Sequence, residues 1–123
     1  MSRQVRWAGA GSCRQVPRKI GKKIDARKAD CEFVGMVFFH ESGFRELRAS
    51  WLRACREFKN RPFYEAASVA KAGLTDLLQY MIDRKTPVYG MEVEHGWSEV
   101  HSREDYRRVS EYFQNAESLS NVL

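Results

Sequence analysis

An α/β layer fold is what the sequence predicts, and three observations predict it. Residues Cys31 to Phe39 form a nearly unbroken apolar run, rich in branched and aromatic types and of strand length. Two later segments, Phe44 to Cys55 and Leu74 to Ile82, repeat apolar residues at helical spacing. Beyond the second of these, Val88, Gly90 and Val93 alternate, imperfectly, with Tyr89, Met91 and Glu92 as a strand. Strands that alternate with helices pack as layers joined by at least one right-handed crossover.

Along the chain, residues 1–15 show neither helical nor strand periodicity and read as a loose, basic terminus. A single domain is expected over 16–115, with a polar tail over 116–123 that frays. Val16, Ile20 and Ile24 are separated by basic residues and Gly21, which suggests a short strand or hairpin turning near Gly21. The run from Cys31 to Phe39 is expected as a buried interior strand, interrupted only by Glu32. Phe44, Leu47, Trp51, Leu52 and Cys55 share one helical face, and that helix is expected to end near Lys59 and Asn60.

Pro62 suits a first helical turn, so Phe63 to Ala72 is expected as a short helix broken by Gly73. The strongest helical pattern follows, with Leu74, Leu77, Leu78, Met81 and Ile82 on one face and Pro87 as the stop. Gly96 and Trp97 mark a turn. Ser102 and Asp105 have capping-box spacing and open a last helix through Tyr106, Val109 and Phe113.

Composition narrows the class. In 123 residues, 43% hydrophobic and 30% charged content fits an ordinary globular domain and argues against a disordered or membrane-spanning chain. The net charge of +5 is concentrated before residue 30, in Arg3, Arg6, Arg14, Arg18, Lys19, Lys22, Lys23, Arg27 and Lys28. Such an arm attracts phosphate. No zinc-finger, helix-turn-helix or aromatic RNA-binding signature accompanies it, so nucleic acid is not the expected partner. Cys13, Cys31 and Cys55 lack C-x-x-C spacing and follow no signal peptide, which fits a reducing cytoplasm, with Cys31 and Cys55 as small core hydrophobes.

Four stretches, taken in order, carry a family resemblance. They are Ile20-Gly21-Lys22-Lys23-Ile24; Ala29-Asp30-Cys31-Glu32-Phe33-Val34-Gly35-Met36; Leu74-Thr75-Asp76-Leu77-Leu78-Gln79; and Gly96-Trp97-Ser98-Glu99-Val100-His101-Ser102-Arg103-Glu104-Asp105-Tyr106. Together they resemble the carboxy-terminal half of the cytidylyltransferase-type nucleotidylyltransferases, the transferases that activate phosphocholine, phosphonates and sugar phosphates. The resemblance implies a partial Rossmann-like nucleotidyltransferase fold with a small mixed sheet. It also implies magnesium as cofactor, and a nucleotide and a phosphorylated small molecule as partners.

The family's triphosphate-holding loop is not recognisable here. Ala8-Gly9-Ala10-Gly11-Ser12 is the only small-residue candidate for it, with no apolar strand pattern before it and no helix pattern after it. A fragment or degenerate member, inactive alone, is therefore expected. Two or three strands would leave an open sheet edge, so self-association or a non-catalytic assembly role is the alternative.

The resemblance also nominates site residues. His101 stands where the family's second metal-binding aspartate would be, and magnesium prefers oxygen donors to imidazole, so poor metal binding is expected. Glu99 is a candidate to hold a substrate hydroxyl or water, or is simply a solvated or capping carboxylate. Glu32, set in an apolar run, is either a paired substrate-binding carboxylate or an outward-facing strand residue. His40 and His95 have no partner at ligand spacing and are not read as metal ligands.

Overall fold

The computed structural model describes residues 5–8, 17–93 and 97–120, with 5–8 and 116–120 described by their backbone. It is a mixed helix-and-strand protein in two compact units, Met1–Glu92 and Val93–Leu123.

In the first unit three short strands form one sheet: β1 (Val5–Ala8), β2 (Lys19–Gly21) and β3 (Cys31–Phe33), in the order β2-β1-β3. β1, in a stretch expected to be irregular, is the central strand. Trp7 faces Ile20 on one side and Cys31 on the other, and both pairings are antiparallel. β2 and β3, each antiparallel to β1, run parallel to one another on its two sides. Residues 22–30 make that connection with only a 3-10 turn at Ala26–Lys28, not with the α-helix usual in an α/β crossover.

The interior strand expected over Cys31 to Phe39 is corrected in length and place. β3 stops at Phe33 and lies at the sheet edge, while Phe38 is 93% exposed. Gly35, at φ 80°, takes a left-handed conformation that ends the extended run.

α1 (Glu41–Glu57) begins at His40, whose ring Nδ1 accepts the Ser42 N–H, a capping role that accounts for this histidine. Its inward face runs through Leu47, Ser50, Trp51, Ala54 and on to Phe58. Ser50 and Ala54 are fully buried, and their small side chains let α1 approach α2 (Leu74–Asp83) closely. Phe44, Leu52 and Cys55, expected on that face, are exposed instead.

Phe63 to Ala72 is not a helix. Phe63 and Ala66 pair across a tight turn with hydrogen bonds of 3.0 and 2.9 Å, Tyr64 has φ 51°, and a 3-10 turn follows at Val69–Lys71. The turn drives Phe63 fully into the core, where it meets Phe58 and Tyr64 edge-on at 4.9 and 5.0 Å between centroids.

α2 has nearly the expected span and buries Leu77, Leu78, Tyr80 and Met81 against Ile20, Phe63 and Ala54. Leu74, at its first turn, is 41% exposed. The helix ends in a Schellman motif: the Thr86 N–H reaches Met81 O at 3.0 Å and the Lys85 N–H reaches Ile82 O at 2.8 Å. Val88 to Val93 forms no named strand among the described residues.

The second unit is built on α3 (Arg103–Ser120). Its capping box is present: the Asp105 N–H donates to Ser102 Oγ at 3.0 Å, and the Ser102 hydroxyl donates to Asp105 Oδ2 at 2.8 Å. The helical backbone continues past Asn115, where fraying was expected. Gly96, half of the expected turn, and His95 lie outside the described residues, as do Cys13 and Gly9 to Ser12. No described helix is long and apolar enough to cross a membrane.

Candidate functional site

Residues 97 to 102 lead into α3 and hold two of the nominated side chains. Glu99 and His101 are two residues apart in extended chain and project to the same side. His101 Nε2 lies 2.7 Å from Glu99 Oε2, so the imidazole is already engaged. Below it, the His101 N–H donates to Asp105 Oδ2 at 3.3 Å, and Asp105 also takes Arg108 at 3.1 Å. The Ser102 hydroxyl, with these partners, holds the Asp105 carboxyl below its ordinary range. Asp105 is therefore committed to capping α3.

This donor set does not fit magnesium. One carboxylate is paired with an imidazole, the second is spent on a helix cap, and imidazole is not the hard oxygen ligand that magnesium takes. Among the described residues no group of three or more His, Cys, Asp or Glu side chains is arranged to hold a metal ion.

Glu32 lies in the first unit, on β3, with Arg6 as its register partner on β1. Its side chain is exposed, so the outward-facing reading describes it. Beside it, Cys31 is half-buried and its thiol lies 3.8 Å from Glu92 Oε1; burial first, and Glu92 second, push that thiol up and leave it a poor nucleophile.

A second polar constellation was not nominated from the sequence. Gln79, buried on α2, accepts the Ile20 N–H at 2.7 Å and donates to Arg18 O at 3.3 Å and to Asp83 Oδ1 at 2.7 Å. Asp76, one turn earlier and also buried, accepts the N–H groups of Glu65 and Gly73, each at 2.9 Å. Glu65 in turn takes the Lys22 and Lys23 N–H groups on its two oxygens, at 2.8 and 2.9 Å. The Tyr64 hydroxyl closes the set on Asp83 Oδ2 at 2.6 Å, and burial, then this bond, pushes the phenol up. The available signal was a polar pair, Asp76 and Gln79, at i, i+3 spacing inside the most apolar helix.

On the far side of the core, the Tyr80 hydroxyl donates to Glu57 Oε2 at 2.9 Å and Arg84 pairs with the same oxygen. The tyrosine bond, reinforced by Arg84, holds the Glu57 carboxyl below its usual range.

No protein-family model matches this chain, and neither the curated proteins nor the solved structures yield a match.

Proposed function

We propose that the chain is a fragment or degenerate member of the nucleotidylyltransferases that transfer a nucleoside monophosphate to a phosphorylated small molecule, and that it is inactive alone. The order of motifs from Ile20 to Phe113 supports this reading. The single observation that carries it is the Glu99–His101 contact at 2.7 Å, because an imidazole tied to its neighbour stands where the family keeps a free metal-binding carboxylate.

In this reading the sheet and helices are part of a Rossmann-like nucleotidyltransferase fold, working in the cytoplasm. The family's reaction joins an acceptor phosphate oxygen to the α-phosphorus of a nucleoside triphosphate and breaks the bond to the β-phosphate, releasing pyrophosphate. This chain contributes the acceptor side. The direct test is pyrophosphate release from each common nucleoside triphosphate with phosphocholine or a simple phosphonate as acceptor. The isolated chain is expected to be silent, and turnover by it alone refutes the reading.

A second reading, a non-catalytic assembly module, is favoured by apolar side chains left in solvent from the end of β3 into the first turn of α1. Met36, Phe38 and Phe44 are 61%, 93% and 58% exposed. Exposed apolar side chains that join in one patch mark contact surfaces.

A further inference from the structure

The turn that follows β2 is fastened by a carboxylate from a distant part of the chain. Glu65 accepts from Lys22 N–H on Oε2 and from Lys23 N–H on Oε1, at 2.8 and 2.9 Å. Successive amides converging on one point form a concavity suited to anions. Gly21 permits the approach, since a Cβ there would lie 2.5 Å from Glu65 Oε1. Glu65 is itself fixed, because its own N–H is held by buried Asp76 at 2.9 Å. The residue before the turn, Ile20, is pinned in parallel by Gln79.

This fixing is spent on backbone and leaves the charges outside it free. The Lys22 and Lys23 side chains are exposed, and among the described residues neither takes part in an ion pair. Arg18, just before β2, and Lys19, on it, are also exposed and add positive charge. Two cations on a backbone held from behind favour a compact dianion, because the turn itself is already ordered and only the two lysine side chains remain to be fixed when the ligand arrives.

We propose that the Gly21–Lys23 turn binds a phosphate monoester, that Lys22 and Lys23 supply the ammonium donors, and that Glu65 is the positioning residue that holds their backbone. This rests on the reading of the acceptor as a phosphorylated small molecule and names where its phosphate is held. Glu65 brings negative charge toward an anion, and by Coulomb's law alone its removal would tighten binding. As a positioning residue it does the opposite: its removal frees two amides, loosens the turn and weakens binding.

The sign of that change is the test. The full chain, labelled with nitrogen-15, is titrated with inorganic phosphate at low salt while the Lys22 and Lys23 amides are followed. Phosphocholine and choline serve as comparison arms. The parent is expected to show saturable shifts with phosphate and phosphocholine and none with choline. Glu65→Ala should weaken phosphate binding about tenfold, and Glu65→Gln, which keeps one acceptor oxygen, should weaken it less. Gly21→Ala keeps the Glu65 charge yet crowds its oxygen, and it too should weaken binding, which separates positioning from charge if Glu65→Ala does not fold.

Unchanged or tighter binding in a folded Glu65 variant overturns the proposal, as does a parent without saturable shifts. No turnover enters the titration. A chain without transferase activity can therefore satisfy it, and a failed titration leaves the transfer reading to its own assay.

Discussion

Gln79 holds the outer edge of β2 by accepting the Ile20 N–H at 2.7 Å, so a helix side chain stands where a further strand would pair. Sheet edges need such cover. Replacing Gln79 by Leu keeps the volume but strands the Ile20 amide in a buried site. The expected loss is about 1 to 3 kcal/mol in denaturant unfolding, the range for an unsatisfied buried donor. A loss under about 0.5 kcal/mol, the size of an ordinary surface change, would mean that water replaces the amide.

Two leucines of one helix should behave differently. Leu78 is 3% exposed and Leu74 41%. Leu78→Ala should cost about 2 to 5 kcal/mol as a core truncation. Leu74→Ala should cost under about 1 kcal/mol, and equal losses in thermal unfolding would contradict the packing described for α2.

Lys85 occupies the left-handed position of the α2 Schellman motif, at φ 60°, where glycine is the usual residue. A Cβ is strained there, while glycine costs unfolded-state entropy. Lys85→Gly is expected to raise stability by about 0.5 to 1 kcal/mol, and a lowered melting temperature would show that the lysine side chain does more than tolerate its backbone.

The α3 cap carries a pH dependence of defined sign. Because the Ser102 hydroxyl holds the Asp105 carboxyl below its ordinary 3.8, the folded form binds that proton more weakly than the unfolded form. The stabilisation is thus complete above about that pH and is lost as the pH falls below it. Helicity of 103–120, followed by residue-resolved chemical shifts, should decline on acidification more in the parent than in Ser102→Ala. That variant should start about 1 kcal/mol less stable in the helix. Identical acid profiles would remove the cap from the account.

Much of the helical order was legible because burial repeats at helical spacing: α1, α2 and the Ser102–Asp105 cap follow from pattern alone. The strands were harder. Cys31 to Phe39 is apolar enough for an interior strand, yet only Cys31 to Phe33 pairs, because Gly35 turns left-handed and the partner strand is itself only four residues long. β1 alternates only over Gln4-Val5-Arg6-Trp7, too short a stretch to stand out beside the small-residue run that follows it. Phe63 to Ala72 has helix-forming alanines, but the burial of Phe63 and the long-range bonds of Glu65 outweigh propensity there. Glu99 and His101 were legible as a pair only through their place in a motif, and Glu65 through nothing local, since the partners of its side chain lie more than forty residues away.

The exposed apolar side chains from Met36 to Phe44 bear on assembly. Phe38 is nearly fully in solvent, so Phe38→Glu should cost little stability. If these side chains drive self-association, sedimentation of the parent will show a concentration-dependent rise in mass that the variant lacks. A monomeric parent at high concentration would count against the assembly reading.

In the proposed transferase reading, two separate faults silence transfer: the imidazole at 101 and the want of a recognisable triphosphate loop. The measurement that tests it most directly is pyrophosphate release by the His101→Asp variant and the parent, each alone and each mixed with the amino-terminal half of an active phosphocholine cytidylyltransferase. The account predicts release only from the mixture containing His101→Asp. Release by the parent alone, or by the variant without its complement, would contradict it.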